Sequence, residues 1–122
     1  MRSLSVLVAF ILSGSAIAAD SNNFQLRDAG DLVRICSTDS GDPHYNNATG
    51  FCHGILVGAF RYHESAAAAG GKRFVCAPTP VPTRAKVMND FVAWAGSHAQ
   101  YMKDGPIDTL FRYLGETYPC KK

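Results

Sequence analysis

NATGFCHGILVGAFRY, residues 47–62, decides the fold. At about 100° per residue, Phe51, Cys52, Ile55, Leu56, Ala59 and Phe60 cover one broad side of a helix. Gly50, Gly54 and Gly58 line up beside them, four residues apart, and His53, Arg61 and Glu64 are left a narrow polar sector. A helix that is apolar nearly all round is expected to be central. Each interior glycine costs about 0.8–1 kcal/mol against alanine. Three in register therefore predict close approach of another helix backbone, within the monomer or across a dimer. The apolar run is shorter than the ~20 residues of a membrane-spanning helix, so a membrane dimer motif is disfavoured.

On the N-terminal side, Asp28-Ala29-Gly30-Asp31 reads as a helix start. Asp28 can cap free N–H groups, and Asp31 suits the positive end of the helix. Leu32, Val33, Ile35 and Cys36 supply its apolar face, while Asp20 to Gln25 reads as loose and polar. Ser37 to Asn47 holds Asp, Gly, Pro and Asn and predicts an exposed loop. Asn47-Ala48-Thr49 fits a glycosylation acceptor but is better used as the helix start.

On the C-terminal side, Ala66 to Ala69 with Gly70-Gly71 marks a break. Gly70 to Pro82 is rich in Gly and Pro, with Phe74-Val75-Cys76 a short extended piece. Thr83 caps a third helix over Arg84 to Met102, with Val87, Met88, Phe91, Val92, Trp94, Ala95, His98 and Met102 inward. Pro106 starts a fourth helix whose inner stripe is Ile107, Leu110, Phe111 and Leu114. The chain is thus expected to be all-α, a small four-helix domain.

Met1 to Ala19 has the parts of a cleaved secretory leader: Arg2, the apolar run Leu4 to Leu12, and Ala16-Ile17-Ala18 before a cleavage point. The leader has no cysteine to carry a lipid anchor. The expected organisation is a signal peptide over residues 1–19 and one domain over residues 20–122, located in the periplasm. Export places Cys36, Cys52, Cys76 and Cys120 where thiols oxidise, which predicts two disulfides. Spacing alone leaves three connectivities. Helix order selects among them. Cys36 ends the first helix and Cys52 lies early in the second, so an antiparallel hairpin brings them together. Cys76 precedes the third helix and Cys120 follows the fourth, so the outer ends of that pair meet.

The chain's 12 Lys+Arg and 10 Asp+Glu are interspersed, which argues against nucleic-acid binding. No second run is apolar enough to hold the chain in a membrane after leader cleavage. Cys52-His53 are helix neighbours that point ~100° apart. There is no Cys-x-x-Cys, no phosphate-binding glycine loop and no serine elbow in the exported part. His44, His53, His63 and His98 have no metal-ligand spacing, so no metal, no cofactor and no catalytic residue is expected. The exposed loop carries Asp39, Asp42, His44 and Tyr45, the best candidates for contact with a partner.

The ordered pieces resemble the Rap/Tai immunity proteins: Asp31-Leu32 with Cys36, Cys52-His53-Gly54-Ile55 with Gly58, Cys76-Ala77-Pro78 before Thr83, Trp94 with His98, and Tyr118-Pro119-Cys120. The chain departs from that pattern at Ile55, Ala59-Phe60 and Ala99. The resemblance implies an exported, non-catalytic binding protein of type VI secretion systems. It would block a peptidoglycan amidase effector sterically, by filling its substrate cleft. The alternative is a small periplasmic stress chaperone, which would need an acid trigger beyond the few carboxylates present.

Overall fold

The computed structural model describes residues 19–122. The expected leader therefore lies outside the described residues, apart from Ala19. Four helices follow in order: α1 (Ala29–Cys36), α2 (Tyr45–Ala68), α3 (Arg84–Gly96) and α4 (Pro106–Thr117). Short 3-10 turns occupy Asn23–Gln25 and Ala99–Tyr101. Among the described residues there is no strand, only one antiparallel bridge between Val75 and Pro119. The domain is all-α, and both expected disulfides are formed, Cys36–Cys52 and Cys76–Cys120. Among these residues no helix is long and apolar enough to cross a membrane.

The hub of the core is α1, not α2. It packs against each of the other three helices. Leu32, Ile35 and Cys36 are buried on it, facing Cys52 and Leu56 of α2, Phe91 of α3 and Leu110, Tyr113 and Leu114 of α4 in one cluster. A helix of 8 residues is marginal by itself, and its ends are held from outside. The Asp28 carboxylate accepts from the Asp31 N–H as the predicted cap. The Ala29 and Gly30 N–H groups donate to the carbonyls of Asp104 and Met102, both at 2.9 Å. Three N–H groups that a helix start leaves unpaired are thereby satisfied.

The N-terminal segment is ordered, not loose. Asn23 is buried and donates to Asp31 Oδ1 at 2.8 Å, while Arg27 Nε and the Arg27 N–H both reach Oδ2 at 3.0 Å. Polar side chains that satisfy a buried carboxylate are structural, which composition alone does not reveal. The Arg27 guanidinium, aided by Asn23, holds the Asp31 carboxyl at about 2, below its ordinary 3.8, against the upward push of burial.

The glycine expectation is corrected for the monomer. A Cβ built on Gly50, Gly54 or Gly58 meets nothing within 4 Å, and all three face solvent. The buried stripe of α2 runs instead through Ala48, Cys52, Leu56 and His63. Alanine and the bridged cysteine already let α1 come close, so the glycines are not needed there. Close approach falls on Gly30, where a Cβ would stand 3.2 Å from Asp28 Oδ1 and 3.3 Å from the Met102 carbonyl. The second helix also outruns its expected limits, because Ala66 to Ala68 continue it. The break comes at Gly70, with φ 100°.

The third helix is shorter than predicted. The Trp94 carbonyl contacts Ser97 Oγ at 3.2 Å and His98 Nδ1 at 2.7 Å, and it accepts the Ser97 N–H at 3.1 Å. Side chains that compete for a terminal carbonyl end a helix. The predicted inward stripe of α4 is rotated: Leu110 and Leu114 are buried with Thr109 and Tyr113, whereas Ile107 is 40% exposed.

Two outcomes follow for stability. A carboxyl lowered on folding stabilises above its unfolded value and loses that contribution as pH falls through the folded one. Asp31 should therefore contribute about 2 kcal/mol at neutral pH, lost as pH falls from about 4 towards 2. Denaturant melts should show Asp31→Asn less stable at pH 7 by about that amount, with a flatter acid limb. Gly54→Ala should raise stability by about 0.5–1 kcal/mol, because its site is open, whereas Gly30→Val should lower it by about 1–3 kcal/mol through overpacking against Met102. Equal melts for the two variants would remove the packing argument.

Candidate functional site

The predicted contact residues occupy the connection between α1 and α2. Cys36 ends α1, Cys52 lies in the second turn of α2, and their Cα atoms are 5.2 Å apart. The staple closes the 16-residue separation that contains the loop. Chain-entropy arithmetic assigns it about 3 kcal/mol. Inside it, backbone turns shape the tip: Asp42 N–H donates to the Asp39 carbonyl at 2.9 Å, and Tyr45 N–H donates to the Asp42 carbonyl at 3.0 Å. The Asp42 carboxylate accepts the His44 N–H at 2.7 Å, an Asx-type turn that leads into α2.

The four predicted residues are not alike. Asp39 and His44 are exposed, whereas Asp42 and Tyr45 are half-buried. Tyr45 is already the first residue of α2. Asp42 therefore has a structural use of its own, and one oxygen of its carboxylate is engaged. His44 borders a hollow of about 530 Å³ together with Ser21, Phe24, Asn47 and Phe51. The hollow adjoins an aromatic floor, for Phe24 meets Phe51 edge to face with centroids 5.3 Å apart. Ser21, Phe24 and Asn47 escape sequence reasoning because they lie in different segments. Only the fold of the N-terminal turn, tied down by Asn23 and Asp31, brings the first two to the loop.

Other side chains singled out by the sequence have structural roles. Cys52 is bridged, so it forms no thiol–imidazole pair with His53. His98 stacks on Trp94 at 4.0 Å, and Tyr101 lies near both, 5.9 Å from Trp94 and 6.0 Å from His98, with Arg112 4.1 Å over its ring. Trp94 Nε1 donates to Glu116 at 2.9 Å and ties α3 to α4. His63, buried among Phe60, Phe74 and Phe111, accepts the Phe74 N–H at Nε2. Its proton is thus assigned to Nδ1. Burial pushes the Tyr113 phenol up. Among the described residues no three His, Cys, Asp or Glu side chains gather as a metal site.

A rigid, covalently closed loop beside an open, partly aromatic hollow is suited to protein contact. Rigid loops lose little entropy on docking, and exposed aromatic or polar residues around a hollow supply anchors. No curated protein and no solved structure matches this chain. A family model described as Rap1a immunity proteins matches residues 28–120, which include both disulfides, all four helices and the loop. The chain belongs to the Rap1a immunity protein family.

Proposed function

We propose that this chain is an exported, periplasmic immunity protein that binds a peptidoglycan amidase effector and inhibits it sterically, without turnover. The family match over residues 28–120 carries the reading, since an immunity protein acts on an effector partner. The secretory pattern of residues 1–19 supports export, and the disulfides suit an oxidising compartment. The contact surface in this reading is the loop with Asp39, Asp42, His44 and Tyr45, whose carboxylates oppose a basic rim or a catalytic histidine of the amidase. Self-association through the exposed Gly50, Gly54 and Gly58 face belongs to the same proposal. Sedimentation of the wild type against Gly54→Leu tests it, and a monomer in both cases removes it.

Co-elution and peptidoglycan-digestion assays with amidases encoded by the same organism test the main claim. The wild type should form a stable complex, suppress digestion and remain unchanged in mass. Failure to bind any such amidase overturns it. Within the loop, Asp42→Asn removes the charge but keeps an acceptor for the His44 N–H, so it is cleaner than alanine. Asp39→Asn with Asp42→Asn, and separately Tyr45→Ala, should each weaken binding by about tenfold or more. The paired Asn variant should keep the wild-type melting temperature. Unchanged affinity in both variants excludes the loop as the contact.

A further inference from the structure

A cleft of about 620 Å³ lies between the middle of α2, the chain from Ala77 to Thr83, and the end of α4. Leu56, Val75 and Leu114 form its buried base, while Val57 and Val81 stand on it 38% and 72% exposed. A cleft of this volume is large enough for a bound molecule of some size.

Its charge is one-sided. Among the described residues, the charged side chains that line it are Arg61 and Arg84. Arg61 and Arg73 share the single carboxylate of Glu64, at 2.9 Å and 3.6 Å. Arg84 makes no ion pair among the described residues. An apolar trough with a net positive rim complements an occupant that is apolar and acidic, and guanidinium groups favour carboxylates through paired hydrogen bonds. The wall also has unused backbone capacity. Among the described residues, the N–H groups of the lining residues Ala77, Val81 and Thr83 donate to no backbone carbonyl. A polypeptide can pair with such groups, as in strand addition, and an acyl chain cannot.

We propose that this cleft is a second docking site, which takes an extended apolar segment of a partner protein with its carboxylates at Arg61 and Arg84. It deepens the immunity reading and rests on it for the partner, since the loop alone would be one contact and the cleft adds another.

The probes are short acetylated peptides that alternate leucine with glutamate or with lysine, and laurate as the acyl control. Each is titrated into the isotope-labelled protein and followed by amide resonances. The glutamate peptide should shift Val57, Val81 and Arg84 and bind at least about tenfold more tightly than the lysine peptide. Arg84→Glu should erase that preference, and Val81→Asp should abolish binding. The melting temperature should hold in both, because Arg84 and Val81 are exposed. Equal binding of both peptides, shifts caused by laurate alone, or shifts that follow protein concentration without any probe would each overturn the proposal, the last by assigning the cleft to a second copy. With a cognate amidase, Arg84→Glu should weaken the complex. An undiminished complex overturns the second site and leaves the loop reading standing. If no amidase binds, the immunity reading falls, and the peptide titrations still decide the cleft.

Discussion

Everything in this domain depends on holding a helix too short to hold itself. The 8 residues of α1 make two turns, below the length at which helices persist in water. Its start is fixed by the Asp28 cap and by the carbonyls of Met102 and Asp104. Its end is fixed by Cys36–Cys52. With both ends fixed, its buried side chains can serve α2, α3 and α4 at once. Asp31 extends the same constraint to the N-terminal segment, because one buried carboxylate must be satisfied and only Asn23 and Arg27 are there to do it.

Covalent closure does the rest. The two bridges span 16 and 44 residues, and loop entropy assigns them about 3 and about 4 kcal/mol. Those values are comparable with the whole net stability of a small domain. They also shape the surface. The first closes the α1–α2 loop, so the tip is presented by a stiff frame. The second joins the segment before α3 to the chain after α4, where Cys76 N–H meets the Tyr118 carbonyl at 2.9 Å. One side of the cleft is thereby pinned while its Pro-rich wall needs no strand ladder.

The long helix α2 serves two surfaces by having two kinds of turn. Its early turns carry Asn47 and Phe51 to the loop-side hollow, and its middle carries Val57, Phe60 and Arg61 to the cleft. Its apolar residues accordingly occur on more than one face, and only one of those faces is the core. An apolar pattern does not require burial on every side, and Val57, Gly54 and Gly58 face solvent.

The sequence by itself determined the helical class, the caps at Asp28 and Thr83, the start of α4 at Pro106 and both cysteine pairs. These are local or nearly local: capping acts within one turn, proline acts on its own residue, and hairpin order fixes which cysteines lie at one end. The sequence also located the loop of Asp39, Asp42 and His44, because turn-forming residues act where they stand, whereas Tyr45, expected in the loop, opens α2. Tertiary structure alone decided which face of α2 meets the core, so Ala48 and Cys52 are buried and Gly54 is not. It alone decided that Ser21 and Phe24 lie beside His44. Those outcomes depend on which distant segments come to share a gap. Periodicity along one chain segment carries no record of that.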